Sequence, residues 1–146
     1  MTTWADVRAG APELAETVRR TFAIRKHATM ATIRRDGAPR ISGTEIEFAD
    51  DGNVFFGMSP DAMRAHDLRR DPRVAIHCPT EDAPGDDPAS WLGEGKIIAR
   101  AVEDEPGRFR LDVQIVVLTR IAPGARALEI STWNARTGET TIALRE

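Results

Sequence analysis

Residues 54–78 read VFFGMSPDAMRAHDLRRDPRVAIHC, and the reading of this stretch governs the reading of the whole chain. Residues 54–58 are an apolar run of strand length. Ser59-Pro60-Asp61 is a helix-start signal. Serine caps well, and proline suits a first helical position, where its missing N–H would be unpaired anyway. Residues 63–70 make a short basic helix, Asp71-Pro72 stops it, and residues 74–78 form another strand. A helix that starts directly off a strand aims its free N–H groups and positive dipole end at one spot. That spot suits an anion such as the phosphate of a cofactor, and Arg64, one turn inside, adds a full charge. A capped surface helix whose Arg64, Arg69, Arg70 and Arg73 form a solvated basic face accounts for the same residues without a ligand.

Upstream, residues 12–25 read as the one long helix, with Leu14, Val18 and Phe22 at i, i+4 and i+8. Residues 27–34 and 40–48 read as two strands joined by Arg35-Asp36-Gly37, a strong hairpin signal. In the second strand Ile46 and Phe48 alternate with Glu45 and Glu47, one dry face and one wet. Ile41 is out of phase with that set, and a bulge near Gly43 is the expected cause. Arg40 and Ser42 share a face just before this slip, so a guanidinium and a hydroxyl can converge on the anion that Arg64 faces. Asp50-Asp51-Gly52-Asn53 makes the turn into residues 54–58.

Downstream, residues 79–88 form an acidic, proline-rich exposed loop. Further strands are expected at 91–102, 112–121, 128–133 and 140–144, with turns at Pro123-Gly124 and Thr137-Gly138. Ile115-Val116-Val117-Leu118 is apolar throughout, which implies burial on both faces. The total is seven or eight short strands and two helices, the pattern of a mainly β, closed or half-closed antiparallel barrel. At 146 residues the chain reads as one domain, 1–146. A net charge of -3 gives no footprint for nucleic acid. No apolar stretch is long enough to span a bilayer, and the N-terminal residues do not form a signal peptide. The single cysteine, Cys78, excludes an internal disulfide and fits a reducing cytoplasm. The excess of arginine over lysine reads as base-composition bias of the source genome, not as chemistry.

His27, His66 and His77 do not stand at metal spacing, and His77 and Cys78 point to opposite faces of their strand, so no metal site is expected. No glycine-flanked nucleophilic serine occurs, and Cys78 alternates with Val74 and Ile76 as a core residue. Trp133 either belongs to the core or covers a planar ligand. No carboxylate pair is placed for acid–base work, so no catalytic residue is readable.

The order Asp36-Gly37, Pro39-Arg40-Ile41-Ser42, Phe55-Phe56-Gly57, Arg64 with Asp67-Leu68, then Arg70-Asp71-Pro72-Arg73-Val74 resembles the pyridoxamine phosphate oxidase-like, flavin-binding split-barrel family. The likeness is strongest from residue 27 to 78 and continues through Val117-Leu118-Thr119-Arg120 and from Glu129 to Trp133. It implies an antiparallel six-stranded split β-barrel with peripheral helices, a homodimer, and flavin bound between the subunits. It places the cofactor phosphate at Arg40 and Arg64, and the cofactor itself along Gly57, Met58 and Ser59; Ser42 and Trp133 complete the candidate set. Four departures stand out. Ala62 and Gly57-Met58 lack hydroxyls that the family often has there. Trp133-Asn134-Ala135 stands where true pyridoxamine phosphate oxidases have Trp-Gln-Gly, and no later Arg/His pair for substrate phosphate follows. The expectation is therefore a flavin- or deazaflavin-dependent oxidoreductase with a small-molecule substrate, not a vitamin B6 oxidase. The cofactor would be FMN or, as in the actinobacterial branch with a similar helix end, a deazaflavin coenzyme. The alternative is a non-catalytic split-barrel protein that binds a cofactor or small ligand, or none. Haem binding on the same barrel, through His66 or His77, is the third reading.

Overall fold

The computed structural model describes residues 1–124 and 126–146. Its elements are α1 (Trp4–Gly10), α2 (Pro12–Phe22), β1 (Ala28–Ile33), β2 (Pro39–Thr44), β3 (Ile46–Phe48), β4 (Val54–Gly57), α3 (Met63–Arg70), β5 (Arg73–His77), a 3-10 turn (Pro88–Ser90), β6 (Glu94–Glu105), β7 (Arg108–Ile121), β8 (Leu128–Asn134) and β9 (Glu139–Arg145). All nine strands join one antiparallel sheet, with a path β2-β1-β5-β6-β7-β4-β3 and β8 and β9 branching from β7. The two ends of that path, β2 and β3, are consecutive in the chain and separated by Glu45 alone. The sheet thus returns to its own first strand. With β2 and β3 counted as one, β1, β5, β6, β7 and β4 complete a six-stranded split barrel.

This geometry corrects the expected bulge at Gly43. Pairing of β2 with β1 runs without a shift from Ala28↔Thr44 to Ile33↔Pro39, through Thr29↔Gly43. The chain changes partner after Thr44, and pairing resumes at Ile46↔Phe56. Burial still alternates strictly from Pro39 to Phe48. Ile41 is out of phase because it lies on the outer face, 76% exposed. True register shifts occur elsewhere, in the long β6–β7 hairpin at Ile98/Ala99 and Glu103/Glu105.

Among the described residues there are three α-helices, not two. The unexpected one, α1, begins at Thr3 with a capping box: the Thr3 hydroxyl accepts from the Asp6 N–H, and Asp6 accepts from the Thr3 N–H. α1 buries Trp4 and Val7. α2 ends at Phe22, earlier than its pattern suggested, and turns Leu14, Ala15, Val18, Thr21 and Phe22 inward. It lies so close to β6 that a side chain at Gly95 would strike Thr21 and Val18. Trp4 meets Phe48 edge-on at 4.9 Å, and Phe56 stacks on Phe109 at 5.5 Å, which ties helices, β3, β4 and β7 into one core. Cys78 and Trp133 are both buried in that core. Among the described residues no helix is long and apolar enough to cross a membrane.

Gly107 closes the β6–β7 hairpin at φ +79. Its carbonyl accepts from the Met58 N–H at 2.9 Å, and any Cβ would collide with the Met58 carbonyl. Gly107→Ala must therefore strain the turn and push the segment after β4 outward. We expect a loss of about 1–3 kcal/mol of stability, read as a lower thermal midpoint. An unchanged midpoint would refute this role.

Candidate functional site

Two clefts meet at α3. The first, about 510 Å³, lies where β2 passes into β3, beside the end of β4. Gly43, Thr44, Glu45, Gly57, Arg64 and Arg108 are among its walls. The second, about 500 Å³, lies between α3 and the β1–β2 hairpin and is lined by Arg34, Arg35, Asp36, Arg40, His66, Asp67 and Arg70, with Met63.

The start of α3 departs from the sequence reading. Its cap residue is Ala62, which offers no side-chain hydrogen bond. Ser59 and Pro60 sit earlier, in a turn where the Ser59 hydroxyl accepts from the Asp61 N–H at 3.4 Å. Ala62 is extended, at φ -61 and ψ 144, so the helical conformation begins only after it. Arg64 is consequently the second residue of the helix, not one turn inside. The first-turn N–H groups have no side-chain cap.

Most arginines of this region are engaged. Arg69 forks onto Glu103 at 2.8 and 2.7 Å and also donates to the Pro60 carbonyl. Arg73 binds Asp71. Arg40 Nε donates to Asp67 Oδ2 at 2.7 Å; Arg70 donates to Asp67 Oδ1 at 3.1 Å and to the Ile33 carbonyl. Arg64 differs: its Nε is buried with no partner among the described residues, and so is the hydroxyl of Thr44. Both residues face the first cleft. Buried polar groups are nearly always paired, so two orphans on one cleft mark a place where a polar ligand would complete the bonding. On the walls of the same cleft Arg108 meets Glu47 at 3.3 Å and His27 meets Glu45 at 3.5 Å.

The residues singled out from sequence therefore separate. Gly57 and Arg64 share the first cleft. Arg40 lines the second. Ser42 lies between Arg40 and Thr44 on the same face of β2, half-buried. Met58 packs against the core, and Ser59 is exposed in its turn. Trp133 is 3% exposed and lines neither cleft; its indole faces Gly10, where a Cβ would stand 3.0 Å from Nε1. Sequence reading missed Thr44, although it continues the Arg40, Ser42 alternation, and gave no role to Asp67.

Asp67 is buried, and burial by itself would raise its carboxyl pKa. Hydrogen bonds from Arg40, Thr32 and Arg70 outweigh burial and hold it below the ordinary range. Arg69 and the Gly107 N–H hold Glu103 at about 2, and Arg73 holds Asp71 at about 2. Burial pushes the Cys78 thiol up, away from thiolate chemistry. No group of three or more His, Cys, Asp or Glu among the described residues is placed to hold a metal ion.

Fold and site together define a split barrel with a cleft at the joint of its shared strand. The family model for pyridoxamine 5'-phosphate oxidase matches residues 14–132, and the chain belongs to that family. Among solved structures, a pyridoxamine 5'-phosphate oxidase-related, FMN binding protein from Nostoc punctiforme is similar at TM-score 0.64 and 10% identity, covering 93% of this chain and 96% of its own. PhzG from Burkholderia lata, in complex with tetrahydrophenazine-1-carboxylic acid, is similar at TM-score 0.64 and 11% identity, covering 96% and 91%. A heme binding protein from Mycobacterium smegmatis reaches TM-score 0.53 at 14% identity, covering 90% and 87%. At these identities the likeness is one of fold. No curated protein matches the chain in sequence.

Removing the Asp67 charge leaves two guanidinium groups without their shared anion. Asp67→Asn is expected to cost about 3 kcal/mol, measured by chemical denaturation. The wild-type carboxyls of Asp67, Asp71 and Glu103 have folded pKa values below their unfolded ones. Their contribution is complete above the unfolded carboxylate range and is lost as pH falls toward 2. Stability should hold from pH 7 to about 5 and drop below 4.5, with a shallower drop in Asp67→Asn. Parallel acid profiles for the two proteins would refute the assignment to Asp67.

Proposed function

We propose that the chain binds a phosphorylated flavin-type cofactor in the Arg64 cleft, FMN in the first instance, and serves as a flavin- or deazaflavin-dependent oxidoreductase. The observation that carries this reading is the pair of buried, unpartnered polar groups, Arg64 Nε and the Thr44 hydroxyl, on one cleft. Arg64 offers a charged donor and Thr44 a hydroxyl, which fits a phosphate. The uncapped first turn of α3 adds N–H groups and the positive end of its dipole. Gly43 and Gly57 leave their strands without side-chain bulk at the cleft wall. A volume of about 510 Å³ lies within the usual range for cofactor sites. Once bound, the cofactor would supply the hydride or electron transfer. The chain's own part is to orient it and to shield it with the Phe55 and Phe56 side of β4. The family membership supports the cofactor class, and the missing Trp-Gln-Gly and Arg/His features argue against vitamin B6 phosphate as substrate.

The reading includes a homodimer. The outer face of β1, β2, β5 and β6 exposes Ile41 beside Thr29, Ala31, Ala75 and Ile98, around an apolar depression of about 190 Å³. Such a face is stabilised by covering it, and a second copy is the proposed cover. The second reading is a non-catalytic binding protein. It is favoured by Ala62 at the helix cap, which lacks the hydroxyl that would strengthen a phosphate contact.

Titration with FMN and with a deazaflavin coenzyme, followed by absorption and fluorescence, tests the cofactor. Saturable binding with substrate-dependent reoxidation supports the oxidoreductase, binding without turnover supports the carrier, and no binding of either sinks both. Arg64→Ala should weaken binding about tenfold or more, and Thr44→Val by less. Equal affinity in Arg64→Ala would remove the phosphate assignment. Ile41→Glu should convert a dimer to a monomer in analytical ultracentrifugation; an unchanged dimer would place the interface elsewhere.

A further inference from the structure

The β7-β8-β9 branch lies outside the closed barrel, and β9 is its free edge: among the described residues it pairs with β8 alone. All seven residues of β9 are exposed, Ile142 at 66% and Leu144 at 61%. Proteins commonly blunt such an edge with lysine, proline or a bulge. Here Thr140-Thr141-Ile142-Ala143-Leu144 carries no charge and no proline, and the register with β8 runs without a shift. We propose that this edge pairs with the same edge of a second copy of the chain, antiparallel about a two-fold axis at Ile142. The contact is separate from the Arg64 cleft and from the Ile41 face, and it depends on neither.

The order of residues along β9 carries the inference. A two-fold axis at Ile142 sets Ile142 opposite itself, Thr141 opposite Ala143, Thr140 opposite Leu144 and Glu139 opposite Arg145. The two charges of the strand are opposite in sign and equally far from its centre, so this register forms the Glu139–Arg145 pair twice. A parallel, in-register pairing would set each charge against its own kind. An antiparallel slip of two residues would leave both charges without a partner. Within one chain neither forms an ion pair among the described residues. The apolar side chains point the same way. Ser131 is buried on β8, whereas Ile142 opposite it is exposed, and a depression of about 360 Å³ lies between them and the start of α2. Thr140, Ile142 and Leu144 share that face, and pairing covers them with the same side chains of the second copy. Exposed ion pairs add little affinity, but they select the register. Two strands of seven residues make a small interface, so the association is weak and concentration-dependent.

Analytical ultracentrifugation of the full chain over a range of concentrations tests this. Ile41→Glu serves as background, so that the outer-face dimer does not contribute, and its concentration is raised until the monomer associates again. The expected result is reversible self-association, weakened about tenfold in Arg145→Glu and recovered in the double reversal Glu139→Arg/Arg145→Glu. Both side chains are exposed, so their replacement leaves the fold intact. Ile142→Lys adds the charge that the edge lacks and should leave a monomer. Hydrogen exchange at the β9 amides should slow as concentration rises. A monomer at every concentration overturns the proposal. So does association that persists in both Arg145→Glu and Ile142→Lys, or a double reversal that recovers nothing. If Ile41→Glu leaves a dimer that Arg145→Glu dissociates, the Ile41 face falls and the β9 edge stands. Cofactor titration is a separate measurement, and its failure leaves this result unchanged.

Discussion

Between Thr44 and Ile46 the backbone leaves β1 and joins β4 without losing its in–out alternation. This shared strand is the constraint on which the architecture depends. One run of ten residues serves both ends of the sheet path, so the sheet closes without a further strand. The joint leaves a gap where the two halves diverge, and the first cleft opens there. A sheet that closes on itself also has few free edges, which limits edge-to-edge association. The core follows from the closure: α1 and α2 cover one end, where Trp4 and Phe22 reach Phe48 on β3.

The second organising element is electrostatic. α3 carries three arginines, and the protein pairs two of them, Arg69 with Glu103 and Arg70 with Asp67. Asp67 is the more consequential partner because it is buried. It bonds α3 to β1 through Thr32 and to β2 through Arg40. A buried charge is costly unless paired, and here pairing also fixes the angle of the helix against the sheet. Arg64 faces the joint, and its Nε is left without a hydrogen-bond partner among the described residues.

Much of the fold was legible in local signals. Asp36-Gly37 marks its hairpin, and the glycine adopts φ +85. α3 ends at Arg70 as expected, since Asp71-Pro72 stops it, although its cap is Ala62 and not Ser59. α1 was legible and overlooked: Thr3 and Asp6 stand at capping-box spacing, with Trp4 and Val7 on one face. The site was legible only by residue type. Arg64 and Gly57 share a cleft as their neighbourhood suggested, whereas Arg40 turns toward Asp67, a partner 27 positions away.

The sequence by itself determined the elements, their turns and the alternation of buried and exposed residues, because these depend on neighbours within one or two turns of chain. It also carried the family, through the order of short motifs. Only the tertiary structure decided that residues 39–48 bridge two edges instead of bulging at Gly43. Alternation of period two is the same whether a strand keeps its partner or exchanges it, so nothing local distinguishes the two cases. The same holds for the arginines. Their number is written in the sequence, but which remain free depends on where distant carboxylates such as Asp67 and Glu103 come to lie.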